Sequence, residues 1–308
     1  MNIRILSIAS LTGLILFSFS SCLKDDSEAQ IAEEKKILAD YIQANNITVQ
    51  PTESGLYYIE TLAGTGDSVA VDDWMEIKYT ARLVSNNQVV MTSEMQTAKD
   101  NNIYLAGTYY GPTRLVQGQI RPIALNEGIS KMRDGGKARL IFPSDIGLGG
   151  TTSGNVPAYS SLIFDVELVK VIPDIIQYEG TLVQAFLEAN DMSPDSTAEG
   201  IWFKQTGEGT GDLPKEGNVV SVTYSGKFLN GTIFDNSGKS FNLTIGNYSV
   251  IPGFEEAVKL IKKGGSGKVV IPYNNAYGVY GRFDNYGRYV IPPYTSLVFD
   301  ISVTFIGK

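Results

Sequence analysis

The stretch VIPPYTSLVFD, residues 290–300, comes back almost unchanged as NVPAYSSLIFD at 155–165. In each copy a proline and a tyrosine lead into alternating apolar residues, the pattern of a half-buried strand entered from a turn. A phrase of this length occurring twice asks for a comparison of everything around it. ILADYIQANNITVQPTESGLYYIETLAGTGD (37–67) matches LVQAFLEANDMSPDSTAEGIWFKQTGEGTGD (182–212), with Asn45 on Asn190, Gly55 on Gly200, Gly64 on Gly209 and Asp67 on Asp212. The register still holds at Tyr79 and Tyr224, and KMRDGGKARLIFP (131–143) matches IKKGGSGKVVIP (261–272) with some slack. The chain is a tandem duplication with one net insertion in the first copy.

Each copy opens on a helical stripe: Ile37, Leu38, Tyr41 and Ile42 in the first, Leu182, Phe186 and Leu187 in the second. Such leader helices could dock on their own domains or pair two chains. Short alternating segments follow. GLYYIETL, WMEIKYTARLV, KARLIFP and SLIFDVELVKV read as strands in the first copy; GIWFKQT, NVVSVTYSGKFL, KVVIP and SLVFDISVTFI read so in the second. One short helix is expected in each unit. In the second it is GFEEAVKLIKKGG (253–265): Pro252 precedes it, Glu255 and Glu256 fall in its first turn, Lys262 and Lys263 in its last, and Gly264 stops it. Antiparallel strands with a helix across one face make an α+β fold.

Composition removes whole classes of chemistry. The 308 residues contain no histidine and one cysteine, Cys22. Ser-His-Asp and Cys-His nucleophiles, HExxH zinc sites and intrachain disulfides therefore drop out. With 25 basic against 33 acidic residues and a pI near 4.8, the charge balance argues against nucleic-acid binding, which needs a basic face. The Gly-rich GLGGTTSG (147–154) lacks the spacing and the lysine of a phosphate loop and reads as a flexible loop.

The N-terminus reads as an address. In MNIRILSIASLTGLILFSFSSC (1–22), Arg4 precedes an apolar run from Ile5 to Phe17, followed by small residues. That is a signal peptide, too short for a stable span. FSSC (19–22) resembles the bacterial lipobox, which implies lipidation of Cys22 and an anchor in the outer membrane. LKDDSE (23–28) reads as a solvated acidic spacer. It also resembles the signal that sends some lipoproteins to the cell surface, so the periplasmic and surface faces both stay open.

The second copy carries a specific constellation: VTYSGKFLNGTIFDNSGKSFNLTIG (222–246), VIPGFEEAV (250–258), IPYNNAYG (271–278) and VIPPYTSLVFD (290–300). It resembles the FKBP family of peptidyl-prolyl cis–trans isomerases, over the chain from Gly200 to the C-terminus. The resemblance implies two tandem domains, each a twisted antiparallel sheet wrapped around a short helix and each preceded by a leader helix. The units are a signal peptide (1–22), spacer and leader helix (23–50), a degenerate domain (51–172), linker and second leader helix (173–199), and an isomerase domain (200–308).

Carried over by position, Phe254 is the pocket floor, where many relatives have Trp, and Tyr224, Phe234 and Phe299 are walls. Val250 and Ile251 stand at the helix entry, with the Ile251 N–H for a substrate carbonyl. Tyr277 offers its hydroxyl to another carbonyl, Asp235 faces the twisting amide, and Phe241 and Ile291 complete the rim. No metal or cofactor is implied, and the partners are proline-containing polypeptides. A flap, VYGRFDNYGRY (279–289), is longer than in short members and carries Tyr280, Phe283, Tyr286 and Tyr289.

The first copy departs from this pattern. IFDNS becomes VVMTS (89–93), so Met91 or Val90 replaces the acid; Leu148 stands for Tyr277 and Leu125 for Phe254, while Pro157 and Phe164 remain. An insertion containing IYLAGTYYGPTRLVQGQ (103–119) lies between Ser93 and Leu125. The expectation is a folded first domain with little or no isomerase activity, serving as a chaperone arm, a spacer or a dimerising unit. The rival for the whole chain is a non-catalytic polypeptide-binding module of the envelope.

Overall fold

A computed structural model describes residues 22–193, 196–285 and 287–307, with side chains from Asp26 onward. Residues 1–21, on which the signal-peptide reading falls, and Tyr286 of the flap lie outside the described residues. No described helix is long and apolar enough to cross a membrane.

The first leader helix is α1 (Cys22–Ala44). The first domain then runs through β1 (Tyr57–Leu62), β2 (Trp74–Leu83), β3 (Val89–Thr92), α2 (Met95–Asp100), β4 (Thr113–Val116), α3 (Ile123–Ser130), β5 (Lys137–Phe142) and β6 (Leu162–Ile172). The second leader helix, α4 (Ile175–Ala189), starts two residues later. Its cap is Asp174, whose carboxylate accepts from the N–H groups of Ile176 and Gln177, two donors the first turn cannot otherwise satisfy. The second domain comprises β7 (Trp202–Gly207), β8 (Val219–Phe228), β9 (Ile233–Asn236), β10 (Phe241–Thr244), α5 (Pro252–Lys259), β11 (Ser266–Ile271), β12 (Arg282–Phe283), β13 (Tyr289–Ile291) and β14 (Leu297–Gly307).

The two sheets share one topology. The order is β1-β5-β6-β2-β3 in the first, with β4 also on β2, and β7-β11-β14-β8-β10 in the second, with β9 also on β8. All pairs are antiparallel. The long central pair, β2 with β6 and β8 with β14, is buried on alternate residues, as the sequence pattern requires. The repeated phrase supplies the turn and the last strand of each sheet. Tyr159 and Tyr294 both take left-handed backbone (φ 53° and 52°), a costly state for a tyrosine. Each donates its N–H to a glycine carbonyl, Gly149 and Gly278, so the turn belongs to the scaffold of both copies.

Each leader helix docks on its own domain. Leu38 joins Val84, Ile141 and Ile163, and Val183 and Leu187 join Val270 and Val298. The buried stripe of α4 is Ile175, Glu179, Val183 and Leu187 rather than Leu182, Phe186 and Leu187. The predicted spacer LKDDSE forms the opening turns of α1, which starts at Cys22. The second short helix ends at Lys259, earlier than the 253–265 expected, with Lys262 and Lys263 beyond it. Tertiary pairing outcompetes the last helical turn: the Lys263 carbonyl accepts from Thr210, and the Gly264 N–H donates to Val303.

The insertion is also relocated. β4 pairs with β2 as β10 pairs with β8, placing Thr113 opposite Ile77 and Phe241 opposite Val222. Thr113–Val116 therefore belongs to the shared fold, and the extra chain is residues 93–112, where the second copy has only 237–240.

Candidate active site

The site of the second domain is an aromatic dish where β8, β9, β14 and α5 meet. Tyr224 of β8 stands 5.3 Å from Phe254 and 5.9 Å from Phe299, ring to ring. Phe254 and Phe299 meet edge to face at 5.2 Å, and Phe234 meets Phe299 at 5.7 Å with the planes at 90°. Edge-to-face contacts of this kind add to the area that the rings bury. Phe241 touches the Tyr224 ring at 6.3 Å and is partly exposed. Gly226 makes the wall possible: a Cβ there would come within 2.8 Å of both Phe234 and Phe299.

A carboxylate, Asp235, stands at the edge of the dish. The Tyr224 hydroxyl donates to Asp235 Oδ2 at 2.9 Å. Burial first, then the hydrogen bond to Asp235 and its charge, push the Tyr224 phenol up to about 12. The phenol is therefore a fixed donor throughout the neutral range, and it orients the carboxylate. Val250, Ile251, Tyr277 and Ile291 pack against the same core as the dish. Ile251 caps α5 in extended conformation, and no hydrogen bond from its N–H occurs among the described residues. Ile291, expected on the rim, is fully buried. It is the last residue of β13, which pairs with β12 to make the flap a hairpin.

Several participants escaped the reading of the sequence. Arg282, in the flap, lies 5.8 Å over the Tyr277 ring. Phe228 extends the wall by touching Phe234 at 5.1 Å. Tyr109, from the first domain, packs on the second domain's core. Phe228 lies inside the quoted 222–246 motif and Arg282 inside the flap, but the resemblance gives neither position a role, and nothing in the sequence ties Tyr109 to the motif. No group of His, Cys, Asp or Glu among the described residues could hold a metal ion.

The first domain keeps the frame and changes the contents. The pairing of β2 with β3 sets Met91 opposite Ala81 as β8 with β9 sets Asp235 opposite Gly226. Met91, not Val90, thus stands for the acid. Tyr79 stacks on Phe164 at 5.8 Å, and Phe164 on Phe142 at 5.6 Å. Leu125 and Val90 are buried where the second copy has Phe254 and Phe234. Burial raises the Tyr79 phenol, with Tyr110 of the insertion adding to it. The residue before α3 is Pro122 where α5 has Ile251, and proline has no N–H to donate.

The model of FKBP-type peptidyl-prolyl cis–trans isomerases matches residues 66–169 and 211–304, well over half of the chain. The chain belongs to this family. It is 37% identical over 127 residues to the probable FKBP-type peptidyl-prolyl cis-trans isomerase FkpA of Neisseria meningitidis, a match covering 40% of this chain and 45% of that protein. It is 38% identical over 102 residues to FK506-binding protein 1 of Dictyostelium discoideum, covering 32% of this chain and 91% of the relative. Among solved structures, a peptidyl-prolyl cis-trans isomerase of Pseudomonas syringae is 29% identical, with a TM-score of 0.38, over 44% of this chain and 94% of that one. The chain thus spans less than half of the Neisseria relative. Each FKBP match falls on one sheet, and both leave out the leader helices.

Proposed function

We propose that the second domain isomerises peptidyl-prolyl bonds in polypeptide clients of the cell envelope, and that the first domain has lost this activity. The observation that carries the reading is the paired difference at one edge of the dish: Asp235 held by Tyr224 in one copy, Met91 in the other. The N-terminal sequence supports the envelope, through a signal peptide and lipidation of Cys22 at the outer membrane.

The chemistry needs no nucleophile. An X–Pro bond interconverts over tens to hundreds of seconds because rotation breaks amide resonance, a barrier of ~18–20 kcal/mol. An apolar dish lined by Tyr224, Phe254 and Phe299 strips water from the prolyl carbonyl. Water favours the charge-separated planar form, so its removal lowers the barrier. The planar amide also carries more negative charge on oxygen than the twisted one. The Asp235 carboxylate repels the planar form more, and only such differential interaction speeds the step. The Ile251 N–H and the Tyr277 hydroxyl would hold neighbouring carbonyls without taking part in the rotation.

A protease-coupled peptide assay on the full chain tests this. Asp235→Met, the first copy's own residue, should lower kcat/KM by ~10–100-fold, about 1.4–2.7 kcal/mol of transition-state stabilisation. Tyr79→Phe, in the first domain, should leave turnover within about twofold. A large loss from Tyr79→Phe would put the activity in the wrong domain. A wild-type chain without turnover would favour a polypeptide-binding module, for which Tyr248, Tyr280 and Phe283, 84%, 79% and 48% exposed, are the contact groups.

A further inference from the structure

The insertion of the first domain reaches the substrate rim of the second. The Tyr109 N–H donates to the Tyr289 carbonyl at 2.7 Å. The Tyr109 ring meets the edge of Phe228 at 5.0 Å, Phe228 meets Phe234 at 5.1 Å, and Phe234 meets Phe299 in the dish. Tyr289 opens β13, which ends at Ile291. Just past Ile291, Arg114 Nη1 donates to the carbonyls of Pro293 at 3.1 Å and Tyr294 at 2.7 Å. The segment 289–294 is thus held at both ends by donors from the first domain.

Those donors are themselves fixed. Arg114 is 7% exposed, with Glu76 at 3.0 Å and Glu179 at 2.9 Å. Tyr109 donates its hydroxyl to the Pro112 carbonyl, which closes the insertion on itself. Trp74 adds an edge contact to Tyr294 at 5.2 Å. A neutral spacer would join the next domain by a polar linker with few contacts. Here a buried guanidinium and a backbone hydrogen bond meet the one segment that carries Ile291 and anchors the flap.

We infer that the first domain is a positioning element for the second domain's substrate rim, with Tyr109 and Arg114 as the positioning residues. They hold residues 289–294, and through them Ile291 and the flap, in the shape that receives a prolyl peptide. Ordering the rim in advance removes a cost that binding would otherwise carry. The inference rests on reading the second domain as the isomerase, and its test separates the two.

The test is amide hydrogen exchange on the full chain, read beside peptide kinetics. Tyr109→Ala should speed exchange over residues 287–296 by about tenfold, with β8 and β14 unchanged. It should raise KM several-fold with kcat held within about twofold, the mark of lost binding order rather than lost chemistry. Tyr109→Phe, which keeps the ring against Phe228 and loses only the hydroxyl bond to Pro112, should restore most of both readouts. Arg114→Lys, unable to fork to carbonyls and carboxylates together, should loosen the same segment. Unchanged exchange over 287–296 in both Tyr109→Ala and Arg114→Lys overturns the inference, whatever the kinetics show. A wild-type chain without turnover would sink the catalytic reading alone, since the exchange result stands without it.

Discussion

Glu34 and Glu179 occupy the same place on the two leader helices, and their partners show how the copies parted. Both carboxylates are buried. Glu34 is satisfied inside its own domain by uncharged donors: the Ser144 N–H and hydroxyl at 2.6 Å each, and the Ser161 hydroxyl at 2.8 Å. Glu179 accepts from the Ser296 N–H at 2.6 Å, but its other oxygen takes Arg114 of the first domain. The counterpart of Ser144 is Tyr273, and the Ser296 hydroxyl is buried without a partner. A buried carboxylate is tolerated only when hydrogen bonds or a counter-charge replace water. In the second copy part of that replacement comes from outside the domain. The same buried carboxylate is satisfied inside its own unit in the first copy and shared across two units in the second.

The sharpest way to break the comparison is to remove the cation. Arg114→Ala leaves Glu76 and Glu179 side by side, 14% and 2% exposed, with no counter-charge. Losing one partner of a buried ionic cluster costs about 3–5 kcal/mol. Denaturant unfolding of the full chain should show a loss of that size, and Glu179→Gln in the same chain should recover part of it. Glu34→Gln should cost less, about 1–2 kcal/mol, because its donors are uncharged and no counter-ion is left buried without its partner. Equal costs at the two sites would mean that the guanidinium adds nothing beyond what serines supply.

A smaller effect tests the two walls. The second copy has Gly226 beside Phe234; the first has Ala81 beside Val90. The methyl gained in one place is matched by the ring lost in the other. Gly226→Ala should therefore destabilise by about 1–3 kcal/mol through overpacking against Phe234 and Phe299. Adding Phe234→Val should return most of that stability while leaving the dish without a wall. A single variant as stable as wild type would show that the rings can move aside, and that the glycine is no constraint.

The fold was legible because its signals are local and occur twice. Alternation over β2, β6, β8 and β14 marks the sheet, and the duplicated phrase marks its closing strand. The dish was legible through Asp235, Tyr277 and Phe254, which sit in contiguous motifs. What stayed hidden depends on contacts distant in sequence. Pro122 removes a donor from the first copy only once it is aligned with Ile251 at a helix start, and the two matching helices share a single letter, Glu127 with Glu256. Arg114 looked like part of an insertion because strand β4 is four residues long and mixes charge with apolar residues. Tyr109 gave no sign at all, since its partners in the second domain, Phe228 and Tyr289, lie more than a hundred residues away. The helix end at Lys259 was missed because the groups that compete with the last turn come from β14 and from the loop before β8.

The mildest perturbation is alkaline pH, and it separates the joint from the dish. Tyr109 and Tyr178 at the joint, and Tyr224 in the dish, are each pushed up to about 12, burial being the largest cause in all three. Glu76 adds to the rise at Tyr109 and Tyr178, and Arg114 opposes it. In the unfolded chain all three ionise near 10. Below that pH both states hold these protons, so the tyrosines give stability no pH dependence. As pH climbs from 10 to 12 the unfolded chain releases protons that the folded one retains, and stability falls. Urea midpoints of the full chain should hold level up to about pH 10 and decline above it, as far as these groups decide it. Tyr178→Phe should flatten the decline without touching the dish, and Tyr224→Phe should flatten it while freeing Asp235 from its donor. If neither substitution changes the slope, these phenols are not held in their protonated form by the packing described, and the joint must be looser than the contacts of Tyr109 and Arg114 require.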